Sequence, residues 1–309
     1  MRSDPAHSIV QLVRALSAPV LLEEQTLIKF AQIFRRKLGG TAFNGAELHA
    51  ELGIAARGNG NRGQASGAPR IAVIPVQGVL AQHPQSLGTS TDEIDQDISA
   101  ALADPRIDGI LLDMDSPGGT VPGIPELGAK ILAGRAVKPI VALANGLAAS
   151  AAYWLASAAH EIIVTPSGEV GSIGVYMLHE DWSRNLDQEG VAITAISAGK
   201  YKTEGAPWAP LSAEAEANMR ERVDEVYGWF VRAVAMGRKA ESQKAVREVY
   251  GQGRVLGAAQ AVKANLADRI GTFDDAVARV AARVERAVGS QAGPSASLLR
   301  RRLELGGSV

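Results

Sequence analysis

The chain has 309 residues, with 32 Lys plus Arg against 33 Asp plus Glu and a net charge of −1. No global field therefore draws it to nucleic acid or to an anionic membrane surface. Cysteine is absent, which excludes a disulfide framework, a thiol nucleophile and a thiolate zinc site. Apolar residues make up 46% and aromatic residues only 5%, so the chain can bury a large core built from Ala, Val, Leu and Ile.

In chain order, Asp4, Arg14, Glu23 and Glu24 interrupt any apolar export signal. Residues 20–38 carry apolar positions at helical spacing and predict a helix that stops at Gly39-Gly40. Residues 53–69 are rich in Gly, Asn and Ser and read as a linker. They contain Gly58-Asn-Gly-Asn-Arg-Gly63, but no strand leads into this run and no helix leaves it, so it lacks the context of a phosphate-binding loop. Strands are predicted at 71–76, 107–113, 140–144, 161–164, 172–177 and 192–196. Helices are predicted at 91–102, 122–132, 149–158, 212–237, 257–268 and 273–287. The apolar stretch 139–160 is long enough for a membrane span, yet Asn145, Gly146, Ser150 and Ser157 interrupt it. A buried strand and helix fit it better, and no stable membrane anchor is expected. This gives a helical N-terminal region over 1–52, a linker over 53–69, an α/β domain with crossover connections over 70–288 and a flexible tail over 289–309.

Three segments carry chemistry. Asp113-Met-Asp-Ser-Pro-Gly-Gly119 follows an apolar strand, and its two glycine amides can face a substrate carbonyl. By itself it is also an ordinary strand-ending turn. Asn145-Gly-Leu-Ala-Ala-Ser-Ala-Ala-Tyr-Trp154 places Ser150 at the start of a small-residue helix, where it is a candidate nucleophile or simply an N-cap. Ser197-Ala-Gly-Lys-Tyr-Lys-Thr-Glu-Gly205 offers two lysines on either side of a tyrosine. A lysine base has to lose its proton near neutral pH, so its pKa must fall by a few units from about 10.4, with Tyr201, Pro207 and Trp208 as candidate apolar cover.

Taken together, these segments resemble the signal peptide peptidase A family of Ser/Lys serine peptidases, and within it the head-maturation proteases of tailed phages. The resemblance spans residues 70–275. It rests on DSPGG at 115–119, on the run from Asn145 to Ser150, on GSIGV at 171–175, on GKYK at 199–202 and on the GRVL…LAD-x-IG run at 253–271. It implies a ClpP/crotonase-like core, with Ser150 as nucleophile, Lys202 as general base and Ser172 orienting the lysine. Gly118, Gly119 and the Ala151 amide form the implied oxyanion hole, and Lys200 has no implied role. It also implies a protein or peptide substrate such as a capsid or scaffold protein, a homo-oligomer in which the lysine serves the serine of its own chain or of a neighbouring one, and a cytoplasmic setting. Ala151 and Ala152 stand where cellular members carry glycines, which narrows the space beside the serine.

Other chemistries have weaker support. His160 lies too far along the chain from Ser150 to pair with it, while His179, with Asp181 nearby, keeps a Ser-His-Asp triad open. No metal or nucleotide motif is present, and no cofactor is expected. A crotonase-type acyl-CoA enzyme would have Glu126 but no use for Ser150. A non-catalytic capsid scaffold or a cellular signal-peptide-peptidase-like enzyme are the remaining alternatives.

Overall fold

A computed structural model describes residues 19–23, 26, 29, 69–83, 88–240 and 242–291. The core is a parallel sheet in the order β2 (Ile71–Gln77), β3 (Gly109–Ser116), β5 (Ile140–Ala149), β6 (Glu161–Val164), β9 (Arg269–Ile270). β5 is the axis of the sheet. Its first half pairs with β6, and its second half pairs with β7 (Glu169–Gly171), onto which β8 (Val255–Gly257) adds antiparallel. The sheet is covered on both faces, and for that reason its central strands read as continuous apolar runs.

One face packs on α1 (Thr91–Ala103), α2 (Ile124–Gly134), α3 (Ala151–Ser157) and α5 (Ala213–Gly237). Every residue of α3 is buried, and Trp154 stacks on Phe230 of α5 with ring centroids 4.9 Å apart and planes 12° from parallel. The other face is closed by α8 (Phe273–Gln291), whose Ala276, Val280 and Val284 meet Leu111, Val141, Leu143 and Ile163. The helix is held electrostatically as well. Glu161, whose side chain is 2% exposed, accepts from Arg269, Arg279 and Arg283 at 2.7–2.8 Å. Burial pushes the Glu161 pKa up, but the guanidinium groups more than offset this and hold it below the usual glutamate range.

The α/β core with crossover connections agrees with the sequence reading, and several elements differ in detail. α1 is capped by Ser90 in a reciprocal arrangement with Glu93. The strand predicted at 172–177 does not form: β7 covers Glu169–Gly171 and ends there, because Gly171 and Ser172 take positive φ and turn the chain. Residues 192–196 form no strand: they are exposed and meet no neighbouring strand edge. The helix predicted at 257–268 is α7 (Ala258–Lys263), and it stops where Asn265 turns into a positive φ ahead of β9. Two short helices, α4 (Ser183–Gln188) and α6 (Gln243–Val249), have no counterpart in the sequence reading. Val20–Leu22, the first residues of the predicted helix 20–38, form a strand, β1, paired with β4 (Gly118–Thr120). The rest of that predicted helix beyond residue 29, the linker and the tail beyond residue 291 lie outside the described residues.

Candidate active site

The site forms where β5 hands over to α3. Ser150 sits at that junction with φ 55° and ψ −118°, a conformation that L-residues avoid. Two backbone bonds impose it: the Ser150 amide donates to Gly171 O at 2.8 Å, and Ser150 O accepts from Trp154 N at 2.9 Å. The side chain does not cap α3. Its Oγ is buried and has no hydrogen-bond partner. A cap would have used that hydroxyl; here it is aimed elsewhere, at a cost of about 1–3 kcal/mol for a buried polar group left unpaired. The N-cap explanation of Ser150 therefore fails.

Ser172 directly follows Gly171 at the end of β7, and the register sets Gly171 beside Ala149, so the two serines occupy adjacent strand ends. Ser172 also has positive φ, 54°, and its amide donates to Arg254 O at 2.8 Å.

The glycine turn is the third side. Ser116 Oγ donates to Gly78 O at 2.7 Å and accepts from the Gly118 amide at 3.2 Å, so this hydroxyl locks the turn from within. Leu80 N donates to Gly118 O, and Thr120 N to Leu80 O, which straps β4 onto the segment after β2. A Cβ on Gly119 would strike the Leu80 backbone, so only glycine permits this approach. A Cβ on Gly118 would stand 2.9 Å from both Ser150 Cβ and the Ala151 amide nitrogen. The turn, the serine and the Ala151 amide thus converge on one small volume.

Lys202 lies elsewhere. Residues 199–205 form consecutive turns, not a strand. Lys200 is engaged with Glu214 at 2.7 Å and with Tyr201 Oη at 2.8 Å. Lys202 is exposed, and only its backbone amide is bonded locally, to Gly199 O. The proposed apolar cover is exposed too, at Tyr201, Pro207 and Trp208. Within one chain the structure brings together Ser150, Ser172, Gly118, Gly119 and Ala151, and leaves Lys202 apart.

The histidines do not replace it. His160 stands at the opposite end of β5, where Nδ1 accepts from Ile140 N at 3.1 Å. Burial, together with Arg135 and Arg283, lowers its pKa to about 4. His179 is not bonded to Ser150 Oγ, which has no partner.

Sequence reasoning missed the occupant of the site. Residues 20–22 run antiparallel to β4, with Leu22 opposite Gly118, Leu21 opposite Gly119 and Val20 opposite Thr120. On its other side Val20 exchanges both backbone bonds with Tyr176, at 3.0 and 3.3 Å. The only sequence signal was a three-residue apolar run, Val-Leu-Leu, which fits helix and strand equally.

The sequence matches a known family. Residues 133–287 match the family model of peptidase family S49, and the chain belongs to that family. It is 37% identical over 213 residues to the capsid assembly protease C of Escherichia phage lambda, covering 67% of this chain and 48% of the relative. It is 36% identical over 218 residues to the head-tail preconnector protein GP5 of Enterobacteria phage P21, covering 68% and 42%. Protease 4 of Salmonella typhi is 32% identical over 213 residues, covering 68% and 34%. The chain spans about half or less of the length of these relatives.

Proposed function

We propose that the chain is a serine endopeptidase in which Ser150 attacks the substrate carbonyl and neutral Lys202 takes the hydroxyl proton. Ser172 orients the lysine, and Gly118, Gly119 and the Ala151 amide line the space that receives the oxyanion. The observation that carries this reading is Ser150 itself: a buried, unpartnered hydroxyl on a strained turn beside a glycine-lined strand end. Ser150 Oγ forms an ester with the acyl half of the substrate, the amine half leaves with a proton, and water activated by the same lysine hydrolyses the ester.

Lys202 reaches the serine of a neighbouring copy in a homo-oligomer. Supporting this, residues 189–203 are exposed throughout, with Ile196 99% and Tyr201 54% exposed. An arm with apolar side chains in water has reason to lie on another subunit. The substrate is a capsid or scaffold protein in phage head maturation; support comes from two relatives named for capsid assembly and head-tail connection. The reading places the enzyme in the bacterial cytoplasm. Among the described residues no helix is long and apolar enough to cross a membrane.

Co-expression with a phage capsid or scaffold protein tests the reading. Wild type cuts it, while Ser150→Ala and Lys202→Ala do not. Equal cleavage by all three would remove the dyad.

A further inference from the structure

The segment Pro19–Glu23 lies in the site as a peptide substrate would. Its backbone is paired on both edges, to β4 on one side and to Tyr176 on the other. Such two-sided strand addition is how an extended peptide is held by its main chain. The Glu23 amide donates to Pro117 O at 2.8 Å, which sets the phase of the antiparallel ladder. With that phase Leu21 and Gly119 form the hydrogen-bonded pair, and the Leu21 carbonyl oxygen faces the Gly119 amide. The same oxygen lies 2.1 Å from the point that a Cβ on Gly118 would take, and that point is 2.9 Å from both the Ala151 amide nitrogen and Ser150 Cβ. One carbonyl of the chain is thereby set opposite the Gly119 amide and close to the nucleophile candidate. Val20, Leu21 and Leu22 are all buried there.

We infer that the Leu21–Leu22 peptide bond is the enzyme's own first cleavage site. The inference rests on the serine peptidase reading. Ser150 Oγ forms a bond to the Leu21 carbonyl carbon, and the bond from that carbon to the Leu22 nitrogen breaks. The nitrogen leaves with a proton as a new amino terminus. Water then adds to the ester, restores the Ser150 hydroxyl and releases residues 1–21 with a Leu21 carboxylate. A tethered substrate has an effective concentration of about millimolar, so the segment outcompetes dilute proteins until it is cut. Processing thereby opens the groove.

The seated segment also defines the substrate class. The residue that presents the scissile carbonyl is a fully buried leucine, preceded by valine and followed by leucine. Upstream, Pro19 edges a cavity of about 270 Å³ whose apolar wall includes Val121, Pro125, Val226 and Trp229. Preferred external substrates are extended apolar segments with Leu at the cleaved carbonyl and a small or medium apolar residue three positions before the cut.

The test uses the full chain, purified and incubated, with intact mass and N-terminal sequencing as readout and casein as the external substrate. Wild type is expected to acquire an amino terminus at Leu22, with casein hydrolysis showing a lag that ends as processing completes. Ser150→Ala stays intact. Leu21→Asp, which sets a carboxylate where a buried leucine sits, also stays intact, and the peptide Ser17–Gln25 added to processed enzyme is cut between Leu21 and Leu22. Casein hydrolysis by a wild-type chain that keeps residues 1–21, or failure to cut that peptide at Leu21–Leu22, overturns self-processing and leaves the peptidase reading standing. If wild type cuts neither casein nor itself, both fall.

Discussion

The backbone amide of Ser150 donates to the carbonyl of Gly171 at 2.8 Å. That bond ties the end of β5 to the end of β7 and holds Ser150 at φ 55°. The two candidate serines, Ser150 and Ser172, thus sit on a shared backbone support, and side-chain changes there leave the frame intact.

Ser150→Ala is expected to abolish peptide hydrolysis, with a loss of about 10⁶ in kcat. It is also expected to leave thermal stability equal to or slightly above wild type, because it removes a buried hydroxyl that has no partner. Calorimetry beside a peptide-cleavage assay checks both. A clear drop in Tm would mean that the hydroxyl is bonded in the folded protein.

Lys202→Ala is expected to lower activity by about 10²–10⁴ without changing Tm, since the side chain is exposed. Mixing and reassembling equal amounts of Ser150→Ala and Lys202→Ala chains separates the two arrangements of the dyad. A base supplied across subunits restores about a quarter of wild-type activity, as random assembly of a symmetric oligomer dictates. A base supplied within one chain restores none.

Glu161→Gln is expected to destabilise the fold by about 3 kcal/mol, because it leaves three arginines facing a neutral amide at the foot of α8. The pH dependence has a definite sign. The folded pKa of Glu161 is depressed, so its contribution is present above the unfolded value and is lost as pH falls through the folded one. Urea unfolding of both proteins between pH 7 and pH 3 checks this: the difference between them shrinks toward acid.

His160 shifts stability in the same direction, through a different cause. Its folded pKa of about 4 lies below its ordinary value of 6.5, so the unfolded chain binds the extra proton between those values. Stability is expected to fall as pH is lowered from about 6.5 toward 4. His160→Asn, whose side-chain oxygen can still accept from the Ile140 amide, removes that slope. A slope unchanged in the variant would assign it to another group.

Phe230→Ala is expected to cost about 3–5 kcal/mol, since it empties the stack against Trp154 beneath α3. Activity per folded molecule falls with it, because α3 carries the amide of Ala151. Far-UV melting together with single-turnover cleavage checks the pair of effects.

The amino-acid sequence by itself determined the parallel α/β core, since runs such as Ile140–Ala144 and Gly109–Leu112 are apolar throughout and fit only strands buried on both faces. It also determined the serine and the glycine turn, whose constraints are local: a strand end, small neighbours and free amides within a few residues. Four things were decided only in three dimensions. Ser150 could have been a helix cap until its φ and its unpartnered Oγ showed otherwise. Gly118 and Gly119 looked equivalent until the fold turned the Gly118 amide onto Ser116 and set Gly119 opposite Leu21. The placement of Val20–Leu22 and the separation of Lys202 from Ser150 depend on contacts between residues far apart in the chain. A short apolar run or an isolated lysine carries no record of its distant partner, and only the folded sheet supplies one.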